Sequence, residues 1–262
     1  MPQENLEPKH NQPKYKPDNI SFKKAKAEKI KSSEVIKVII PAYNEEESIA
    51  KVIAEIPEIV QEIIVVSNNS TDATEENAKN AGATVLQENR KGYGYACLKG
   101  MDYISKQSFD KLRTKPDIIV FLDGDYSDFP AELTKIIAPI IEENKDLVIG
   151  SRVKRWREKG SMTFPQIFGN WLATSLMKLF FNARFTDLGP FRAIKYDKLL
   201  ELEMQDKTYG WTVEMQLKAI KKGFSYTEVP VHYKNRIGTS KVSGTVKGAI
   251  FAGVKILGWI FK

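Results

Sequence analysis

Short apolar runs rich in β-branched residues recur along the chain, and each gives way abruptly to small, polar or charged side chains. Residues 35–40, 63–66, 84–87, 118–122 and 146–150 have the length and composition of buried parallel strands. Between them apolar positions fall at helical spacing, which predicts helices from about 45 to 56, from Ser70 or Thr71 as cap to near Gly82, around 95–102, from Asp128 to about 143, and over 163–181. Residues 186–194 and 228–231 add further strands, and 209–216 open another helix with Glu214 near its positive end. Alternating strands and helices predict an α/β fold: a mostly parallel, Rossmann-like sheet flanked by helices in a single domain. Pro41 is expected to stop the first strand, Glu45, Glu46 and Glu47 to crowd the first turn behind it, and 106–116 to be a solvated connection.

The run 118–128 organises the rest. A buried strand breaks directly into Asp123-Gly124-Asp125-Tyr126-Ser127-Asp128, at the sheet edge where open α/β folds bind substrates. Asp123 and Asp125 stand two apart across a glycine, so both carboxylates can face one site, and such a pair repels itself unless it holds a cation. Hard oxygen ligands in small number suit Mg²⁺ or Mn²⁺, completed by water and substrate phosphate. Asp128 reads as the cap of the helix opening at Pro130.

Other strand ends are polar as well. Ser67 to Asp72 is an unbroken run of short polar residues, more than a helix cap requires. Asn89 to Tyr95 places Arg90 and Lys91 beside Gly92 and Gly94 at a helix start, a weak phosphate-binding signal. Gly150-Ser151-Arg152 leads into Lys154, Arg155 and Arg157, part of which is expected to meet an anion. The helix at 163–181 has an excess of aromatics compatible with core, partner or membrane interface. Residues 236–241 form a loop of small and basic residues.

Composition narrows the options. The chain has 262 residues and a formal net charge of +7. Residues 1–34 hold eight lysines, five acids and four prolines, which supplies +3 and reads as a disordered basic tail. The remaining charge lacks the aromatic and basic interleaving of a nucleic-acid face, so no nucleic-acid partner is expected. One cysteine, Cys97, excludes a disulfide framework and reads as a buried structural thiol; two histidines are too few for a zinc site. No apolar core of a secretory signal follows the first lysines, and no stretch reaches about 18 unbroken apolar residues. Residues 244–262 carry Lys247, Lys255 and Lys262 on one side of an otherwise broad apolar helix, which reads as a segment lying on a membrane surface, with core helix or dimer contact as the rival. The sequence assigns no oligomeric state.

Five stretches in order resemble the inverting family-2 glycosyltransferases of the GT-A fold: Pro41-Ala42-Tyr43-Asn44-Glu45; Asn68 to Asp72; Asp123-Gly124-Asp125; Gly150-Ser151-Arg152 with Thr186-Asp187 to Phe191-Arg192; and Trp211 to Glu214 followed by Arg236 to Lys241. The resemblance covers about residues 35–243 and is nearest to the branch of dolichol-phosphate and polyprenyl-phosphate sugar synthases. It implies that Pro41, Tyr43 and Glu45 contact base and ribose, that Asp123 sits at the ribose and metal edge, and that Asp125 coordinates the divalent ion. Asn68 and Lys91 join this donor site. Two departures stand out: Ser67 and Asn68 replace the acidic pair the family often carries, and the membrane-spanning helices that follow many lipid-linked catalytic domains are absent.

The expected activity is metal-dependent, inverting transfer of a hexosyl group from a nucleotide sugar of the UDP-glucose or GDP-mannose type, with polyprenyl or dolichyl phosphate as acceptor. Arg152, Arg236 and Lys241 would balance charge on the leaving diphosphate. For a hydroxyl acceptor, Asp187 and Glu214 are the candidate bases. A sugar-phosphate nucleotidyltransferase is the competing enzyme reading, but it wants a glycine-rich basic loop where Tyr43-Asn44-Glu45-Glu46-Glu47 stands. The expected location is cytoplasmic, peripheral on the membrane face.

Overall fold

The computed structural model describes residues 34–108, 115–238, 254–255 and 257–261. Seven strands form one sheet: β1 (Ile36–Ala42), β2 (Glu62–Ser67), β3 (Thr84–Gln87), β4 (Ile118–Phe121), β5 (Leu147–Ser151), β6 (Arg192–Lys195) and β7 (Tyr226–Pro230). Their order is β3-β2-β1-β4-β6-β5-β7. Only β6 runs against its neighbours, pairing Phe121 with Arg192 on one side and Ile149 with Arg192 on the other. The central strands β1, β4 and β5 are buried along their whole length, which is why their sequences read as continuous apolar runs.

Helices α1 (Ile49–Glu55), α2 (Thr74–Asn80), α3 (Tyr93–Ser108), α4 (Leu133–Glu143), α5 (Phe164–Phe181), α6 (Tyr196–Glu201) and α7 (Trp211–Lys221) connect and cover the strands. In α4, Leu133, Ile136, Ile137 and Ile140 recur at helical spacing and are buried, so one face supplies core. The bounds of α5 are sharp because Thr163 and Gln166 form a reciprocal capping box and Asn182 ends the helix in the left-handed conformation.

Several local expectations need correction. Pro41 does not stop β1, which continues to Ala42 alongside β2. Pairing with β4 has already ended at Ile39 opposite Phe121, so Pro41 lies past the doubly paired part of the strand. Glu45, Glu46 and Glu47 precede α1 and leave its first turn without acidic residues. Neither Ser70 nor Thr71 caps α2: Ser70 Oγ accepts from the Asn44 N–H, and Asp72 Oδ1 accepts from the Thr74 N–H. The connection expected from residue 106 begins later, since α3 runs to Ser108.

Asp128 caps nothing. It pairs through its backbone with Tyr233, and Phe129 occupies the cap position of the 3₁₀ turn Pro130–Glu132. Its carboxyl is buried with neither oxygen hydrogen-bonded. Burial first, then the neighbouring Asp123 and Asp125, push it well above the usual carboxylate range.

Residues 1–33, Lys241 and 244–253 lie outside the described residues. Val254, Lys255 and residues 257–260 are helical, and Ile260 is buried. Trp259 Nε1 donates to Asp206 Oδ2 at 2.6 Å, and Lys255 Nζ lies 3.3 Å from the same oxygen. Among the described residues no helix is long and apolar enough to cross a membrane.

Candidate active site

The carboxyl ends of β1, β2, β4 and β5 open into one cleft of about 510 Å³. Pro41, Tyr43, Glu45, Asn68 and Lys91 line it together with Asp123, Asp125, Arg152 and Arg236. Candidates that follow six separate strands, β1 to β5 and β7, are therefore brought together. Asp187 and Glu214 are not among the lining residues.

The loops after β1, β2 and β4 each contain one residue with positive φ, at Asn44, Asn69 and Tyr126. The first two are of the type that tolerates this conformation; Tyr126 is not, and it follows Asp125 directly. Its ring lies under the Lys234 ammonium, 3.1 Å from the ring centre, and its hydroxyl bonds Glu55. Ser127 returns to Asp125, donating to Oδ1 from its N–H at 2.9 Å and its Oγ at 2.5 Å. This turn fixes the Asp125 side chain. Its other oxygen lies 3.2 Å from Arg236 Nη2, which also reaches Glu45 Oε1 at 3.1 Å.

Asp123 accepts a hydrogen bond from the Tyr93 hydroxyl at 3.0 Å. Burial, reinforced by the charge of Asp125, pushes its carboxyl up to about 7, although Tyr93, Arg236 and Arg152 act in the opposite direction. The two carboxylates thus stand with less positive charge than two ionised groups require.

Asn68 is committed to the protein. Its amide donates to the carbonyls of Glu88 and Arg90 at 3.1 and 2.7 Å, and its Oδ1 accepts from the Gly92 N–H at 2.8 Å. It ties the end of β2 to the 88–92 loop and so places Lys91. Gly92 and Gly94 serve a steric purpose rather than a phosphate cradle: a Cβ at Gly94 would stand 2.0 Å from the Asp206 carbonyl oxygen, and one at Gly92 2.2 Å from that of Lys207. Amides at the start of α3 are already taken, Tyr95 N–H by Lys207 O and Gly94 N–H by Thr208 O.

Arg152 and Asp187 form a buried, bidentate pair. Arg152 donates from its backbone N–H and Nε to Asp187 Oδ2 at 2.7 and 2.9 Å, and from Nη2 to Oδ1 at 2.6 Å. Burial opposes the charge on Asp187, but the guanidinium outweighs it and holds the carboxyl below the usual range. Glu214 is fully buried; its oxygens accept the N–H groups of Gln205 and Asp206, and Lys218 lies 2.7 Å away. It fastens the 205–206 turn and faces no cleft, which corrects its expected place near a reacting group.

Tyr93, Tyr233, Trp211 and Asn170 line the cleft without having been singled out from the sequence as site residues. Tyr233 stacks beneath the Arg152 guanidinium at 5.1 Å, and burial pushes its hydroxyl up to about 12. Arg192, fully buried at the head of β6, donates to the carbonyls of Leu188 and Thr212 at 3.0 Å each and also bonds Gly189, pinning one wall of the cleft. Tyr93 and Trp211 open α3 and α7, Asn170 lies within α5 and Tyr233 follows β7, so only the tertiary fold brings the four together.

A family model described as glycosyl transferase family 2 matches residues 37–201. An uncharacterised glycosyltransferase of Mycobacterium bovis is 31% identical over 224 residues, covering 84% of this chain and 95% of that one. A dolichyl-phosphate hexose transferase of Haloferax volcanii is 28% identical over 219 residues, covering 81% and 88%. The crystal structure of glucosyl-3-phosphoglycerate synthase from Mycobacterium tuberculosis, in complex with Mn²⁺, uridine diphosphate and glucosyl-3-phosphoglycerate, shares the fold at a TM-score of 0.68 and 20% identity, covering 94% of this chain and 86% of that one. With the family model spanning more than half of the chain and its matched segment holding the Asp123 and Asp125 strand end, the protein is a glycosyltransferase of family 2, built on the GT-A fold.

Proposed function

We infer that this glycosyltransferase moves a hexosyl group, with inversion at the anomeric carbon, from a nucleotide-diphosphate sugar of the UDP-glucose or GDP-mannose type to polyprenyl or dolichyl phosphate. The observation that carries the reading is the pair of buried Asp125 and half-buried Asp123, short of positive charge in a cleft lined by Lys91, Arg152 and Arg236. These oxygens fit Mg²⁺ or Mn²⁺. Among the described residues no three Asp, Glu, His or Cys are grouped to hold a metal alone, which suits an ion that takes one or two carboxylates and completes its shell with phosphate and water. Once bound, such an ion offsets negative charge on the departing diphosphate.

The chain's own residues do the rest. Pro41, Tyr43 and Glu45 take base and ribose at one end of the cleft. Asn68, by fixing the 88–92 loop, presents the Lys91 ammonium to the diphosphate. Arg152 is immobilised by Asp187 and offers a preorganised cationic edge that needs no rearrangement during reaction. Lys241, further along the chain from Arg236, belongs to the same proposal.

The acceptor follows from the state of the two candidate bases. Asp187 is saturated by Arg152 and Glu214 by two backbone amides and Lys218. A hydroxyl acceptor needs a free base; a phosphate is already ionised and needs only cations. The similarity to a dolichyl-phosphate hexose transferase supports the same class. The membrane surface is the matching partner; of residues 244–262, expected to lie on it, Val254 and Phe261 are exposed, whereas Ile260 is buried and Trp259 and Lys255 are held by Asp206.

The test is transfer of radiolabelled sugar from UDP-glucose and GDP-mannose, in Mn²⁺, to polyprenyl phosphate and to the corresponding free polyprenol. Product on the phosphate alone is expected. Transfer to the alcohol at a comparable rate, or only to water-soluble hydroxyl acceptors, overturns the acceptor assignment while leaving the donor site standing.

A further inference from the structure

Helix α5 is turned inside out for a helix exposed to water. Its buried residues are Ala173, Thr174 and Met177, while Phe164, Trp171 and Leu179 are 79%, 60% and 73% exposed. At about 100° per residue, these three share with Ile167 and Phe168 one stripe about 120° wide. Its polar positions are Ser175 and Lys178. The rings run in series, Phe164 to Phe168 at 6.4 Å and Phe168 to Trp171 at 5.8 Å between centres. A stripe of this kind, continuous and aromatic, is rarely left bare by a soluble monomer.

Its charge surroundings favour one occupant. No acidic residue lies on α5. Lys154, Arg155 and Lys159 are exposed just before its first turn, and Glu158 among them is engaged by Asn235. At the far end Phe261, 65% exposed, packs edge-on at 5.4 Å against Phe180, which lies off the stripe on another side of the helix. A second copy of the chain laid along α5, parallel or antiparallel, would bring cations against cations, including Lys178. An anionic lipid surface meets both the aromatic stripe and the cations around it.

We propose that the outward face of α5 is a membrane-docking surface, which lays the helix in the headgroup boundary of an anionic bilayer. The opposite side of the same helix carries Pro165, Gln166, Gly169 and Asn170 into the cleft, so docking would hold the cleft about one helix diameter, roughly 10 Å, from the bilayer surface. The proposal goes beyond the donor and acceptor assignment and does not need it, since the surface binds lipid with the cleft empty.

The test is flotation of the full chain with vesicles of phosphatidylcholine, alone and mixed with phosphatidylglycerol, in the absence of sugar nucleotide. Binding to the mixed vesicles, weakened by salt, is expected. The triple variant Phe164→Ser, Phe168→Ser, Trp171→Ser should bind about tenfold more weakly or worse, with an unchanged melting temperature. The conservative Trp171→Phe provides an independent readout: quenching of tryptophan emission by brominated lipid should be largely lost. The proposal falls if the full chain floats with neither vesicle, or if the triple variant floats like the parent. It also falls if Trp171→Phe leaves the quenching intact, or if light scattering finds a dimer that the triple variant converts to monomer. Calorimetry of nucleotide binding without lipid is read separately, so either assignment can fail alone.

Discussion

At the end of β4, Asp123 and Asp125 share a tyrosine hydroxyl, one serine and part of a guanidinium that Glu45 also uses. Just before β6, Asp187 has the Arg152 guanidinium in a bidentate grip. Asp125 and Asp187 are buried and Asp123 is half-buried, yet Asp123 and Asp187 behave in opposite ways. Burial and Asp125 push Asp123 up to about 7, whereas at Asp187 the guanidinium overcomes burial and lowers it. Depth in the protein is therefore not what separates a carboxylate that takes a ligand from one that holds a loop. The local ratio of cation to carboxylate is.

The strongest way to break this contrast is Asp125→Asn, which keeps the shape of the β4 end and removes its charge. Loss of Mn²⁺-dependent nucleotide binding, with kcat/KM reduced about 10²–10³-fold or more and the melting temperature kept, is expected. Unaltered calorimetric affinity for UDP or GDP in Mn²⁺ would place the ion elsewhere.

Asp187→Asn attacks the other side. Leaving Arg152 buried without its partner should cost about 3 kcal/mol of stability, seen as a lower denaturation midpoint with an unchanged slope. If stability instead holds and kcat falls about 10³-fold, Asp187 is a base after all and the acceptor is a hydroxyl.

The two sites should also respond to pH with opposite sign. Asp123 ionises near 3.8 when unfolded and about 7 when folded, so its contribution is complete below 3.8 and is lost as pH rises through 7. Metal-free protein should then lose on the order of a few kcal/mol between about pH 4 and pH 7 relative to Asp123→Asn. Mn²⁺ affinity should rise over the same range, because the proton competes for the same oxygens. Asp187, whose carboxyl is lowered, contributes stability above its unfolded value and loses it on acidification. Melting curves of the two Asn variants across pH check both slopes.

The smallest effect is expected at Tyr93→Phe, which removes one hydrogen bond to Asp123. That bond opposes the upward shift, so its loss should raise the pH at which Mn²⁺ binds and weaken binding at neutral pH by about 1 kcal/mol.

Much of this was legible in the chain. Buried parallel strands read as apolar runs because both their faces are covered, and Asp123 and Asp125 announce themselves by following one directly. The ends of α5 were readable because its capping box is local. What escaped reading depends on partners far away in sequence. Ser70 and Asp72 look alike as caps until Asn44 claims the serine. Glu214 looks like a free carboxylate at a helix start until the 205–206 turn folds onto it. Asp128 resembles a cap in every local respect, yet its backbone pairs with Tyr233 and its carboxyl turns inward.

The reversed direction of β6 has a consequence for how such an enzyme can be recombined. The chain leaves the cleft edge after Ser151 and comes back to that same edge at Arg192, so everything between is an excursion whose two ends are anchored side by side. Residues 152–191 thus hang from one edge of the sheet, although Ala173, Met177, Ala183 and Phe185 among them are buried in the core. A graft of this segment would carry the Arg152 and Asp187 pair together. It must still match its partners in the rest of the domain: Gln216 donates to the Asp187 carbonyl, Glu228 receives the amides of Thr186 and Asp187, the Tyr226 hydroxyl accepts from the Arg184 N–H, Arg192 donates to Leu188 and Gly189, and Asn235 donates to Glu158.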